Sequence, residues 1–160
     1  MFSLIAAYGF AKLQGLPIKC LEAVIVAMHL TNNIQELERF VMGFKSQAEG
    51  STYRHIVLVV RHNNSTYGAL GLSRRSDLAY KPQTFTSLFD LVEDYKQAYR
   101  RNKHELIKVK IGGLISRDMA SNILLPFKCC AIDLLKEGQV RSRRAVEAYS
   151  RELRRAKREG

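Results

Sequence analysis

The chain has no tryptophan, three prolines, three cysteines and no long apolar run among its 160 residues. Each scarcity excludes something. Three cysteines, two of them adjacent (Cys129 and Cys130), cannot form a disulfide framework, which points to a reducing compartment. No CxxC or HxxxH spacing accompanies them, so they do not read as a zinc site, and no metal or other cofactor is expected. No apolar stretch reaches the length needed to cross a bilayer. The opening MFSLIAAYGFAKLQG lacks the basic start of a signal peptide and is interrupted at Lys12. The spacing of Phe2, Ile5, Tyr8, Ala11 and Leu13 predicts an amphipathic or buried helix there instead. A cytosolic protein is expected. Acid is the scarce charge: 15 Asp+Glu face 26 Lys+Arg, for a net charge of +11. Such a field attracts anionic partners without choosing among nucleic acid, anionic lipid and an acidic protein tail.

What is present suits one domain with a sizeable core. Pro17 fits a helix start, and the apolar run from Leu21 to Leu30 predicts a helix. LTNNIQELERF reads as a turn and a short polar helix or loop, and Phe40–Gln47 as a weakly alternating strand. Tyr53–His62 (YRHIVLVVRH) is β-branched and apolar on both faces, which predicts a central, covered strand. A turn at Asn63–Ser65 leads into a return strand over Thr66–Ser73, whose Gly68 and Gly71 leave room for a close approach. Thr84 is positioned to cap a helix over 85–102, with Phe85, Leu88, Phe89, Val92, Tyr95 and Tyr99 on one side. His104–Gly113 alternates as a strand. NILLPFKCCAIDLL suggests a last strand broken at Pro126. Gln139–Gly160 carries eight Lys+Arg against three Glu and reads as a solvated basic helix, set apart from a core over 1–138. The order gives an α+β domain around an antiparallel sheet.

One stretch raises chemistry. Cys20 falls on the first turn of its helix, among unsatisfied N–H groups at the positive end of the dipole and beside Lys19. Those are the surroundings that hold a reactive thiolate, although a lone cysteine is more often a small core residue. A thiolate nucleophile needs a base, and the base needs an orienting group. His29 lies nine residues up the same helix, out of reach. His62 falls at a turn and His104 at a strand edge. His55, which opens the most buried strand, is the candidate base. With an odd-length loop at the Asn-rich turn, His62 pairs with Thr66 and His55 falls opposite Ser73, which would orient the ring through its hydroxyl or its carbonyl. An even-length loop would put Leu72 there.

The words LPIKCLEAVI, LTNNIQELERF, YRHIVLVV, YGALGLSRRSDLAYKP and FTSLFDLVEDYKQAY, in this order, resemble the vasohibins, and the similarity extends from about Leu16 to the basic helix. The resemblance implies a papain-like or transglutaminase-like fold and a cysteine carboxypeptidase that removes the C-terminal tyrosine of α-tubulin, cytoplasmic and microtubule-associated. The family is also linked to regulation of angiogenesis. It implies Cys20 as nucleophile, His55 as base and Ser73 as third member of the triad. Lys19 and Arg74 would hold the terminal carboxylate, with Arg54 and Lys45 touching the acidic tail more loosely. Arg75 reads equally as surface charge. The His55-to-Ser73 span is one residue longer than the family's pattern. The family's N-terminal helical region, which supplies an active-site tyrosine and the docking surface for the small vasohibin-binding protein, is expected to be missing before Cys20. That partner is implied where the region exists. The alternative is a non-catalytic basic module that binds acidic tubulin tails or RNA, but the motifs of the common RNA-binding folds are absent, which argues against nucleic acid.

Overall fold

The computed structural model describes residues 19–63, 65–117 and 129–159. The expected N-terminal helix, the helix-starting Pro17 and the break at Pro126 lie outside the described residues. The elements are α1 (Cys20–Leu30), β1 (Leu37–Ala48), β2 (Ser51–His62), β3 (Thr66–Leu70), a 3₁₀ turn (Ser76–Leu78), β4 (Lys81–Phe85), α2 (Leu88–Arg101), β5 (Glu105–Gly112), β6 (Cys129–Asp133) and α3 (Gln139–Glu159). All six strands join one antiparallel sheet in the order β4-β3-β2-β1-β5-β6. The α+β reading with an antiparallel sheet therefore holds.

The twelve-residue strands β1 and β2 form the spine. Because strand side chains alternate, Val57 and Val59 face one side of β2 while Ile56, Leu58 and Val60 face the other. On the first side Phe40, Met42, Phe44, Val109 and Ile111 meet Leu88, Leu91, Val92, Tyr95 and Tyr99 of α2, and Val146, Tyr149 and Leu153 of α3. On the second side α1 packs Val24 against Leu58 and Val60. The turn after β2 pairs His62 with Thr66, and the ladder runs back to Leu58–Leu70. The two glycines flank close approaches. A Cβ on Gly68 would lie 2.9 Å from the Gln83 Cα of β4, and one on Gly71 would lie 2.8 Å from Val57 Cγ1.

Four expectations are corrected. Residues 37–39 belong to β1, not to a loop or helix, and the polar Glu38 and Arg39 are buried. Glu38 pairs with Arg61 and with Lys157 at 2.7 Å, and the Arg39 guanidinium donates to the Met28 carbonyl (2.8 Å), Asn32 Oδ1 (3.2 Å) and the Ser116 carbonyl (3.4 Å). Thr84 lies in β4. The cap of α2 is Ser87, whose hydroxyl accepts the Asp90 N–H at 3.0 Å. The return strand stops at Leu70, three residues before Ser73. Finally, α3 is not merely a solvated helix: its apolar stripe enters the main core, and Ser150 Oγ bonds the buried Tyr67 hydroxyl at 2.9 Å.

Candidate active site

Cys20 is the first residue of α1 and is half-buried. Lys19 is the N-cap in an extended conformation and offers no side-chain cap; its carbonyl accepts the Ala23 N–H at 3.1 Å. Among the described residues nothing caps the N–H groups of the first turn around the thiol. The far end of α1 is anchored more firmly. Thr31 Oγ1 donates to the Ala27 carbonyl at 2.7 Å and Arg39 caps the Met28 carbonyl. The Arg117 guanidinium donates to four carbonyls between Asn32 and Leu37 at 2.8–3.0 Å.

His55 lies on β2 opposite Phe44, and the two rings stack with 6.2 Å between centroids. Its Nε2 is 2.8 Å from the Leu78 carbonyl oxygen. A carbonyl only accepts, so the ring proton resides on Nε2 and the Nδ1 lone pair is free to act as a base. Burial lowers the His55 pKa from its ordinary value, and the bond to Leu78 opposes this without reversing it. The Leu78 carbonyl is held in turn. Within its 3₁₀ turn, Asp77 accepts from Asn102 Nδ2 at 2.9 Å and from Arg101 Nε at 3.3 Å, both at the end of α2.

The cross-strand partner expected for His55 is corrected accordingly. Of the two loop parities the odd one is found, since His62 meets Thr66, but the chain leaves the ladder after Leu70. Ser73 stands in the loop beyond, where its hydroxyl accepts the Arg75 N–H at 3.1 Å. The group bonded to the imidazole is the Leu78 backbone. A main-chain carbonyl has no residue signature, so sequence reasoning had no means of finding it.

Cys20, Arg54, His55, Ser73 and Arg74 line one cleft of about 710 Å³, together with Arg75, Leu78, Tyr99 and His104. Among the described residues no hydrogen bond joins the Cys20 thiol to the His55 ring. Burial, and secondarily the neighbouring Cys20, hold the Tyr99 phenol above its ordinary pKa. Lys19 is exposed and does not line this cleft. Lys45 lies in an adjoining groove of about 260 Å³ that shares Arg54 and His55 and adds Lys108 and Lys110. Arg54, Lys45 and Lys108 are direct cross-strand partners in series, a row of three cations across β2, β1 and β5. The sequence reading missed Lys108 and Lys110; the alternating HELIKVKIGG carried the signal, but only the pairing register brings them beside Lys45. No helix of the described residues is long and apolar enough to cross a membrane, and no cluster of His, Cys, Asp or Glu among them would hold a metal ion.

A sequence model of the Vasohibin family matches residues 9–154. The chain is also 45% identical over 141 residues to tubulinyl-Tyr carboxypeptidase 1 of Mus musculus, an alignment covering 88% of this chain and 37% of that protein. The chain thus spans little more than a third of the curated relative it matches. With the match running through both the Cys20 and the His55 segments, the chain belongs to the vasohibin family.

Proposed function

We propose that this chain carries the core of a thiol-dependent, transglutaminase-like carboxypeptidase that removes the C-terminal tyrosine from the acidic tail of α-tubulin, in the cytoplasm and on microtubules. The observation that carries the reading is the protonation pattern of His55. With Nε2–H given to the Leu78 carbonyl, Nδ1 is left as a base in the same cleft as a cysteine that opens a helix. The relative's name supplies the substrate class.

In this reading Nδ1 takes the thiol proton and Cys20 Sγ attacks the carbonyl carbon of the last peptide bond. The resulting oxyanion is stabilised by the open N–H groups at the start of α1. His55 then gives its proton to the departing tyrosine amine, leaving a thioester on Cys20. Water, deprotonated by the same nitrogen, hydrolyses the thioester and regenerates the thiol. Arg74, with Lys19 swinging in from the helix cap, holds the terminal carboxylate through charge-assisted hydrogen bonds. Ser73 shapes the loop that presents Arg74. The Arg54–Lys45–Lys108 row receives the acidic residues upstream, and the net charge of +11 steers the tail toward it.

The cation row also favours a second reading, a non-catalytic module that only holds acidic tails. One assay separates the two. An acidic peptide ending in tyrosine is incubated with the chain, with and without the small vasohibin-binding protein, and free tyrosine is measured. Release that Cys20→Ala abolishes supports the enzyme. Equal processing of the amidated peptide excludes a carboxypeptidase, and binding without release by the unmutated chain leaves the module.

A further inference from the structure

The cleft contains a second imidazole to which no role has been given. His104 sits just before β5, half-buried, with Nδ1 3.1 Å from Oγ of Ser46. Ser46 is 1% exposed, so this hydroxyl is committed to the ring. The Tyr53 ring meets the imidazole edge-on at 4.8 Å, and the Tyr99 ring lies 6.2 Å away. One nitrogen is keyed and two rings fix the plane. Nε2 has no hydrogen-bond partner among the described residues.

Topology says which part of a ligand this ring meets. Ser46 pairs with Tyr53 one pleat repeat beyond the Phe44–His55 pair, so the shelf lies on the same sheet face, about 7 Å along the strands from the catalytic imidazole. It belongs to β1 and β5, on one side of β2, whereas Ser73, Arg74 and Arg75 follow β3 on the other side. A peptide whose terminal carboxylate rests at Arg74 and whose last bond lies over His55 therefore carries its preceding residues toward His104.

We propose that His104 is a specificity-determining residue: keyed by Ser46 on the Tyr53 shelf, it donates Nε2–H to the carboxylate side chain of a residue shortly before the bond that is cut. The Ser46 hydroxyl can donate to Nδ1, and in that arrangement the ring proton sits on Nε2, the donor that an acidic side chain requires. A neutral glutamine offers a weaker acceptor, so the residue discriminates charge. The proposal rests on the carboxypeptidase reading for the direction in which the peptide lies.

The test is an affinity measurement that does not need turnover. The 160-residue chain bearing Cys20→Ala is titrated into fluorescent peptides ending in free tyrosine. The three preceding residues are all glutamate, or have glutamine at one of the three. His104→Phe, which keeps the ring but removes the donor, should weaken the all-glutamate peptide about tenfold, the scale of one charge-assisted hydrogen bond. At one position the glutamate-to-glutamine penalty should vanish in His104→Phe and persist at the other two. Ser46→Ala should lower the same preference by releasing the ring. An equal loss on every peptide, no loss, or no measurable affinity of the Cys20→Ala chain for the all-glutamate peptide would overturn the proposal. Failure of the unmutated chain to release tyrosine would instead remove the carboxypeptidase reading, and the affinity comparison would still decide the role of His104.

Discussion

The two faces of the sheet are built differently, and the candidate nucleophile and base come from opposite sorts of surroundings. Under the face that carries His55, two helices and five strands share a core in which Phe40, Met42, Val57, Val59, Leu91 and Val109 are essentially inaccessible. On the other face, among the described residues, a single helix rests on β2 through Val24, the one buried residue of α1, while Leu21 and Leu30 are exposed. The candidate base is thus fixed by packing. Its ring lies against Phe44, and its orienting carbonyl is tied to the end of α2 through Asp77. The candidate nucleophile is fixed by polar anchoring at the far end of its helix, through Arg39 and Arg117. A reactive geometry assembled across such a boundary depends on two kinds of interaction, and each fails in its own way.

The strongest way to break the contrast is to damage the packed face. Phe44→Ala removes a ring in contact with Tyr95, Tyr99 and His55, and should cost about 3–5 kcal/mol of global stability, read by denaturant titration. Val24→Ala on the thin face should cost only about 1–2 kcal/mol, the transfer value of the atoms removed. If the two substitutions cost the same, α1 is as deeply integrated as the core and the comparison fails.

Arg39→Met tests the polar anchor. The guanidinium is 1% exposed and bonded to two carbonyls and an amide oxygen rather than to a carboxylate. Removing it leaves those acceptors without their donor, at a cost of about 2–3 kcal/mol. The loss should be local. Amide hydrogen exchange should rise along α1 and stay unchanged along α2. A uniform rise in both helices would show that Arg39 serves the whole fold.

Acidification should act on the base. Burial depresses the His55 pKa, so the unfolded chain binds a proton more readily than the folded one. The contribution is therefore intact above the unfolded value near 6.5, declines as pH falls through it, and levels off below the folded value. The stability difference between pH 7.5 and pH 5.5 should shrink in His55→Gln. Turnover of the unmutated protein should fall over the same window as Nδ1 becomes protonated. An unchanged pH dependence in the variant would mean that His55 titrates alike in both states.

Much of this was readable in the residues. The β-branched Ile56–Val60 run marks the central strand, and the Asn63–Ser65 turn marks the hairpin, whose odd parity, one of two open in the sequence, pairs His62 with Thr66. What escaped reading has a common physical cause, which is partners distant in the chain. Glu38 and Arg39 look like loop residues until Arg61, Lys157 and the end of α1 supply their counter-groups. The dense arginines of α3 hid Val146, Tyr149 and Leu153, which the core recruits. Thr84 reads as the cap of a helix that starts at Phe85, yet the structure has it in β4. Gly68 admits β4 so closely that a strand forms there instead. The Leu78 carbonyl is the clearest case: the side chain at that position says nothing about the acceptor its backbone presents.

The smallest effect comes from the cation row and has two opposite signs. Lys45 stands directly across from Arg54 on β2 and from Lys108 on β5. Like charges in opposed positions destabilise a sheet, so Lys45→Gln should raise stability by about 0.5 kcal/mol. If the row exists to receive an acidic tail, the same substitution should weaken capture of an acidic peptide and flatten its salt dependence, because one fewer cation contributes to the field. A gain in stability together with a loss in binding would mark a site held against its own repulsion. A gain in stability with binding unchanged would reduce Lys45 to ordinary surface charge and move tail recognition to Arg54 and Arg74. Lys108→Gln repeats the test from the neighbouring strand, where Asp133 of β6 faces Lys108 from the other side, so the gain in stability should be smaller than for Lys45→Gln. The groove shared with Lys110 leaves a second cation in place, so its binding loss should be the smaller of the two.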